Sequence, residues 1–453
     1  MFSVDEIAKA CRATLIQGDL RLKVAGIGTD SRKLNPKEAF LTLKGANFDA
    51  HDFIQESLKS GASALIIDRV PDIVIPPDVA VIKVKDTTLA LGDLARYRRQ
   101  KFSLPVIAVT GSNGKTTAKE MIAWVLSSCG QVLKNEGTKN NQIGLPQTLL
   151  KLSPNDDFAV VEIGTNHFGE VDYLAKIARP NIGLITNIGL SHLEFLNNLR
   201  GVLKEKSALL DNLREPAIAV LNADDKLLKH WITKSNNKRV IFSYGISEKS
   251  DFSAKDITIA NAKLEFKVNH KFNFILNSLG VCNVYNALAA ISVGRILGLS
   301  YSEIAQKLAD FKFPKGRLNL ISLKGTNFID DTYNSNPLSF QAALSVLRAV
   351  KCKGKKVLVM GDMLELGKQK ELLHRQIGRS ITNTCDLLLT VGNLSRIAAQ
   401  EAGKRGFKDK NIFCFDNSQQ AREFLFSKMS LGPNDFTLVK GSRSMRMEEI
   451  FNI

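Results

Sequence analysis

The chain has 453 residues, 44% hydrophobic and 24% charged, with a formal net charge of +17 and a pI near 9.5. That length calls for about three domains, each able to bury its own core, and no apolar run approaches the roughly 18 residues that a membrane-spanning helix needs. The N-terminus, MFSVDEIAKACRATL, carries Asp5 and Glu6 early and has no apolar block before a small-residue cleavage site, so a cytoplasmic protein without a signal peptide is expected.

Residues 1–85 open with a short helical pattern, followed by predicted strands around Ala25–Thr29, Ala39–Leu43, Ala64–Asp68 and Val79–Val84. This is a small α/β unit without a phosphate loop. Within it, TDSRKLNPKEAFLTLKGANFDAHDFI sets Asp30, Ser31 and Arg32 side by side. An acceptor, a hydroxyl and a guanidinium can grip a base, ribose or diphosphate. A capped surface turn has the same composition, and the residues alone leave both readings open.

The central region, 86–312, begins with a helical pattern at Thr88–Gln100 and then reads PVIAVTGSNGKTTAKEMIAWVL from Pro105 to Leu126. Val106–Val109 is an apolar, β-branched run suited to a strand buried on both faces. Met121, Trp124, Val125 and Leu126 recur at helical spacing, which leaves Lys119 and Glu120 on the wet side. Between strand and helix, GSNGKT is a shortened phosphate loop. Gly111 and Gly114 let successive backbone N–H groups turn inward and the helix N-terminus adds partial positive charge. Lys115 is placed to reach outer phosphates and the Thr116 hydroxyl to sit on Mg2+. Val109 stands where the general pattern has one more glycine.

Beyond the loop helix, Asn140, Asn141 and Gln142 precede Gly144 and Pro146, a turn-forming stretch that can open a helix and aim amides at a ligand. Phe158–Val161 reads as a second buried strand ending in Glu162. Ile182–Ile185 repeats the design, with Thr186, Asn187 and His192 after it. Ligands of an open α/β sheet sit past the C-terminal strand ends. Glu162 and His192 are therefore expected to converge on the phosphate end of the loop and to share a divalent metal with Thr116. GVLKEKSALLDNL reads as an amphipathic helix whose Lys204, Glu205 and Lys206 form a solvated charged face, and nothing in composition marks Lys206. Alternation at Leu264, Phe266 and Val268 and at Phe272, Phe274 and Leu276 predicts a hairpin. An Ala-rich helix follows, with Asn283 and Asn286 on one face. Two amides there can read an adenine edge, whereas helix capping accounts for only the first.

The third region, 313–453, opens with Pro314, Gly316 and Arg317 in FPKGRLNLI. Strands predicted at Asn327–Asp330, Lys356–Met360, Leu387–Val391, Asn411–Phe415 and Phe436–Val439 alternate with helices at Leu338–Ala349 and near Leu372–Ile381. Such alternation argues for a second doubly wound sheet. Gly361–Gly367 follow the Lys356 strand, where such a sheet places ligand loops.

Six cysteines (Cys11, Cys129, Cys282, Cys352, Cys385, Cys414) lie far apart without a C-x-x-C pair, so neither zinc nor a disulfide frame is expected and they read as buried small apolar residues. The 62 Lys and Arg are spread along the chain without a basic block interleaved with aromatics. The positive charge is therefore assigned to ATP and a polyanionic small substrate, and not to nucleic acid.

Together these stretches resemble the Mur ligases, which make the peptide stem of the bacterial cell wall. The resemblance covers nearly the whole chain: TDSR with GANFDAHDF, TGSNGKTT, NNQIGLP, EIGTNHFGE, TNIGLSH, KEK, NADD, NVYNALAA, GRL, IDDTYNSNP, MGDMLELG and VKGSRSMRME. The phosphate loop and TNIG-x-x-H mark the superfamily, which includes folylpolyglutamate synthases. DDTYNSNP, GDMLELG and KGSR narrow the resemblance to members that add D-alanyl-D-alanine to UDP-N-acetylmuramoyl-tripeptide, and the D-N-P-R motif of the sister ligases for diamino acids is absent. It implies an α/β protein of three domains: a small N-terminal α/β domain holding the UDP end of the substrate (1–85), a central P-loop ATPase domain with a mostly parallel sheet (86–312), and a C-terminal Rossmann-like domain that closes over the nucleotide (313–453).

The resemblance places Asp30, Ser31 and Arg32 at the uridine diphosphate site and Asn140 and Asn141 at the substrate. It places Gly111, Ser112, Asn113, Gly114, Lys115, Thr116 and Thr117 around ATP, with Thr116, Glu162 and His192 as metal ligands. Asn283 and Asn286 would border adenine, with Arg317 and Asp330 near the nucleotide. Tyr333, Asn334 and Asn336 fall in the closing motif, and Lys440, Ser442 and Arg443 in the last loop. Lys206, fourteen positions after His192, stands where the family carries a carbamylated lysine, whose anionic carbamate can bind a second Mg2+ that an ammonium repels. The implied chemistry is ATP-driven amide formation through an acyl phosphate, by a monomer, with catalysis from positioning and charge neutralisation by two Mg2+ and Lys115. Three positions depart from the family's commoner residues: Cys282 replaces His, and Thr165 and Ser191 replace Ala.

Overall fold

In the computed structural model, which describes residues 1–45, 47–234, 239–260 and 262–452, the run Val106–Thr110 is a strand buried at every position. Ala46 of the GANFDAHDF stretch and the last residue of the third region lie outside the described residues. The strand sits within a nine-stranded sheet of order 272–276, 263–268, 252–260, 240–245, 218–222, 182–185, 106–110, 158–162, 132–134. All neighbours from 252–260 to 132–134 pair in parallel, and only the first two joins of that order, through the predicted hairpin, are antiparallel. Glu162 lies opposite Val109 and Ile185 opposite Thr110. The C-terminal ends of three adjacent strands therefore open on one edge, at the point where the chain changes direction across the sheet.

Parallel strands need cover on both faces. One face packs on the helices Lys115–Leu126 and Cys282–Ile296 in a single core. The other packs on Gly144–Leu150, Glu170–Ala178 and Leu199–Asp211. The N-terminal region is a five-stranded sheet of order 14–17, 80–83, 64–67, 39–41, 27–28, parallel except for its first pair. Its core takes Ala90, Leu91 and Leu94 of the helix Thr87–Gln100, while Ala95 of that helix belongs to the central core. One helix thus joins two units, and Asp86 caps its start by accepting the Leu89 N–H.

The C-terminal region is a six-stranded sheet of order 319–323, 326–331, 436–440, 356–361, 387–391, 412–415, parallel except for the first pair. Ile329, Phe340, Leu344 and Met360 of this unit share one core with Ile185, Leu196, Val202 and Leu210 of the central unit. The sheet is therefore packed directly over the open strand ends.

Three sequence expectations change. Lys119 is fully buried, because its ammonium finds acceptors inside the fold, whereas Trp124 is 40% exposed and donates its indole N–H to the Lys307 carbonyl. Glu205 and Lys206 are buried, so the helix around them has no continuous solvated face. Of the cysteines only Cys385 is buried, while Cys129 and Cys414 are exposed and the rest intermediate; all six are free thiols. Two-residue strands such as 2–3 and 23–24 are too short for alternation to reveal them. Among the described residues no helix is long and apolar enough to cross a membrane.

Candidate active site

The phosphate loop is held by the strand end beside it. Gly111 has φ of 144° and a Cβ there would meet the Thr186 hydroxyl at 1.9 Å; Gly114, at φ 80°, has Asn286 Oδ1 2.4 Å from the same virtual atom. Only glycine fits either place. The Ser112 and Asn113 N–H groups donate to the backbone carbonyl and side-chain oxygen of Asn187, and the Thr186 hydroxyl and Asn187 amide donate to the Asn113 carbonyl. Two N–H groups expected to face a ligand are thus spent on the TNIG segment. The first-turn N–H groups of the helix, at Lys115, Thr116 and Thr117, have no acceptor within it, which leaves them able to meet an anion. The Ser112 hydroxyl accepts from the Gly189 N–H at 2.8 Å and donates to the Gly189 carbonyl at 3.0 Å. Asn113 Nδ2 is buried without a partner, and Asn113 lines the cavity.

Glu162 is where three segments meet. Its carboxylate accepts from the Thr116 hydroxyl at 2.8 Å and from Asn140 Nδ2 at 2.7 Å. Its backbone N–H and carbonyl are both bonded by the side chain of Asn135, at 2.9 and 3.1 Å. Arg317, from the C-terminal unit, donates to the Thr116 hydroxyl at 3.3 Å. Lys115 donates to the Gly111 carbonyl at 2.9 Å; burial, with Arg317 adding repulsion, lowers its pKa against the attraction of Glu162.

His192 has φ of 51° and heads a short helix, with Nδ1 2.7 Å from Glu365 Oε2 of the C-terminal unit. That pairing, opposed by burial, lowers the Glu365 pKa. His192 and Glu162 line the same cavity, as the strand-end argument expects. Lys206 stands buried behind that wall. Burial, and then repulsion from Lys115, push its pKa well down, while Glu205 and Glu162 oppose the shift. Its neighbour Glu205 accepts the Gly169 and Val171 N–H groups at the start of the helix Glu170–Ala178.

The cavity has a volume of about 570 Å3, and its walls come from both the central and C-terminal units. At one end Asn283 and Asn286 are bonded to each other at 2.9 Å, beside Cys282 and Tyr285. The Tyr285 hydroxyl donates to Asp224, which also accepts the N–H groups of residues 246–248. Asn222, Asp224, Asp225, Tyr244 and Tyr285 thus line a wall of which no single residue stands out in the sequence, although NADD is its signal.

Across the cavity, Arg317 stacks on Tyr333 at 3.8 Å, and Asn336 Nδ2 donates to Asn113 Oδ1 at 2.7 Å. Lys440 pairs with Asp331 at 2.6 Å and bonds the Asn334 carbonyl, and all of these line the cavity. Burial raises the Asp331 pKa despite that pair. Asp330 is the exception. It accepts from the Gly316 N–H and from Thr332, so it shapes the loop while Asp331 faces the cavity. Side chains alternate along a strand, which a motif aligned one residue off reverses. Ser442 and Arg443 lie off the cavity as well. The Ser442 hydroxyl accepts the Leu364 N–H and donates to the Ser335 carbonyl, and exposed Arg443 pairs with Glu448. In the Gly361–Gly367 loop, Leu364, Glu365 and Leu366 reach the cavity, whereas Asp362 accepts the Ser395 N–H at a helix start.

Asp30, Ser31 and Arg32 are not on this cavity. Asp30 caps the turn Ser31–Lys33 and holds Arg32 through two bonds of 2.9 and 3.0 Å, and the Ser31 hydroxyl donates to Glu56. Asn141 likewise caps, accepting the Ile143 and Gly144 N–H groups, and Gln147 of the helix it opens donates to Thr29 at 2.6 Å. The N-terminal motif and the central edge are thus joined by one short helix.

Among the described residues no group of three or more His, Cys, Asp or Glu could hold a metal alone. A single carboxylate, a threonine hydroxyl and an anion cradle instead fit Mg2+ held jointly with nucleotide phosphates.

Three family profiles match the chain: "Mur ligase family, catalytic domain" over 23–99, "Mur ligase middle domain" over 109–294 and "Mur ligase, glutamate ligase domain" over 316–443. The chain is 36% identical to the UDP-N-acetylmuramoyl-tripeptide--D-alanyl-D-alanine ligase of Bacillus subtilis, over 99% of this chain and 97% of that one. It is 37% identical to the same-named ligase of Escherichia coli, over 96% and 95%. Among solved structures it is similar to MurF of Acinetobacter baumannii, with a TM-score of 0.90, 32% identity and coverage of 100% and 98%. MurF of Thermotoga maritima in complex with ADP matches with a TM-score of 0.82, 30% identity and coverage of 94% and 96%.

Proposed function

The chain belongs to the Mur ligase family, and we propose that it joins D-alanyl-D-alanine to the terminal carboxyl of UDP-N-acetylmuramoyl-tripeptide, with ATP converted to ADP and phosphate, in peptidoglycan precursor synthesis. The observation that carries this reading is Glu162, fixed between Thr116 and Asn140 at the mouth of a phosphate loop and roofed by the C-terminal sheet. The tripeptide carboxylate attacks the γ-phosphorus, forming a C–O–P link as the bond to ADP breaks. The dipeptide amine then adds to the acyl carbon, loses a proton and expels phosphate.

No side-chain nucleophile is needed. Lys115 and Arg317 neutralise the phosphoryl oxygens, the first-turn N–H groups and the unpaired Asn113 amide orient them, and the roof excludes water. Thr116 and Glu162 would hold Mg2+, which when bound neutralises charge on the transferred phosphoryl group. His192, whose Nδ1 lies 2.7 Å from Glu365, would offer Nε2 to a second Mg2+, with carbamylated Lys206 as the other ligand. The lowered pKa of Lys206 favours a free amine, able to add to carbon dioxide and, on losing a proton, to become a carbamate. Asp30, Ser31 and Arg32 then serve the uridine diphosphate end of the substrate. Residues 1–85, 86–312 and 313–453 act as substrate, ATP and closing domains of a cytoplasmic monomer.

The test is phosphate release with UDP-linked tripeptide, offering D-alanyl-D-alanine against single amino acids. Turnover with the dipeptide alone is the expected result, and turnover with single amino acids alone refutes the assignment. For Lys206, a 13C carbamate signal from labelled bicarbonate should appear in the native protein and vanish in Lys206→Arg.

A further inference from the structure

We propose that Lys119 is a positioning residue for the metal edge, acting one helical turn behind Lys115; this rests on the metal assignment above. Lys119 is fully buried, and each proton of its ammonium has a partner: the Asn135 carbonyl at 2.6 Å, the Gly137 carbonyl at 3.1 Å and Glu120 Oε1 at 2.8 Å. Those two carbonyls belong to the loop that leads from the strand Val132–Lys134 to Asn140. Glu120, held also by Lys134, closes the clamp at the strand end.

What the clamp grips explains its purpose. Asn135 brackets the backbone N–H and carbonyl of Glu162 and bonds the Lys139 carbonyl at 3.0 Å. Asn140, a few residues on, bonds the Glu162 carboxylate, while Thr116 on the same helix as Lys119 bonds its other oxygen. Lys119 therefore locks together the two elements that orient Glu162, the loop helix on one side and residues 135–140 on the other. A fully buried ammonium held by two loop carbonyls and one carboxylate is an expensive way to hold a loop unless that loop must be held in one place. Groups that orient a metal ligand without touching the metal typically change metal affinity by about 10–100-fold when removed.

The experiment compares Mn2+ binding in the presence of ADP, followed by the electron paramagnetic resonance of free Mn2+, in the native chain and in Lys119→Met, which keeps the apolar stem. Mn2+ affinity should fall by about 10–100-fold, while ADP binding without metal changes less than about twofold. Glu120→Gln, which neutralises the one charged acceptor among the three and leaves the lysine stem untouched, should shift Mn2+ affinity the same way by a smaller factor. Unchanged Mn2+ affinity in folded Lys119→Met overturns the proposal, as does an equal loss of metal-free ADP binding, which marks general damage. Should Lys119→Met fail to fold, Glu120→Gln decides, and native-like Mn2+ affinity there is the refuting result. Absence of nucleotide-dependent Mn2+ binding in the native chain would instead refute the metal assignment itself and this proposal with it.

Discussion

Glu162, on the central wall of the cavity, is fixed by hydrogen bonds from Thr116, Asn140 and Asn135, all from one sheet and its adjoining helix and loop. The C-terminal wall reaches the same cavity through isolated contacts, Arg317 to Thr116, Asn336 to Asn113 and Glu365 to His192. A hydrogen bond contributes only about 0.5–1.5 kcal/mol net, so the polar contacts of the second wall are separable one by one, while the apolar core it shares with the central unit holds it in place. Under the proposed function, the difference gives preorganisation to the central edge and cross-cavity contacts to the roof.

The sharpest way to break that division is to remove charge from the central wall. Lys115→Ala should reduce phosphate release by about 10^3-fold or more, since a preorganised charge aimed at a transferring group is among the largest single catalytic contributions. Undiminished ligation in this variant would leave the cavity without its proposed role. Arg317→Ala comes next, with an expected loss of about 10–100-fold. It removes a cation that spans the walls, bonded to Thr116 and stacked on Tyr333. A loss as large as that of Lys115→Ala would show that the roof contributes to catalysis as strongly as the floor.

The division also marks what the sequence makes legible. Val106–Thr110, the glycine loop and the strand ends at Glu162 and Ile185 are readable because apolar runs, glycines and a terminal carboxylate are local signals. Lys119, Glu205 and Lys206 read as solvated from the sequence and are buried in the fold, because a charge pattern on a helix does not reveal acceptors supplied by a distant loop. Asp331, and not Asp330, faces the cavity, which depends on strand register and not on residue type. The roof contacts of Asn336 and Glu365 have no local signature, since each partner lies more than 150 positions away.

A milder change tests the roof alone. Asn336→Ala deletes the amide that bonds Asn113, together with the cap it gives the helix Pro337–Ala349. The expected result is a rise of about 3–10-fold in KM for ATP with kcat changed less than about threefold, consistent with the loss of roughly one hydrogen bond. If kcat fell and KM held, Asn336 would be acting in the transition state and the roof would be more than a lid.

The smallest effect is expected far from both walls, where Glu6 ties the first helix to the one that joins the N-terminal and central units. Its carboxylate accepts from the Ser3 N–H, from Tyr97 and from Lys101 at 2.9, 2.9 and 2.6 Å. Burial pushes the Glu6 pKa up, yet these bonds outweigh it and hold the value at about 2, against 4.5 ordinarily. Between those values the folded chain binds fewer protons than the unfolded one, so this contribution is complete above about pH 4.5 and is lost as pH falls toward 2. Glu6→Gln keeps the shape of the cap and removes the charge; it should weaken the helix Val4–Cys11 by about 1 kcal/mol at pH 7. Hydrogen exchange of the amides of that helix then speeds up about fivefold at pH 7, with a smaller difference near pH 3. Ligation should be unaffected, because the contact holds a seam between cores and no part of either cavity wall. Equal exchange in variant and native chain at pH 7 would mean that the straddling helix is secured by its apolar faces alone, through Ala90, Leu91 and Leu94 on one side and Ala95 on the other.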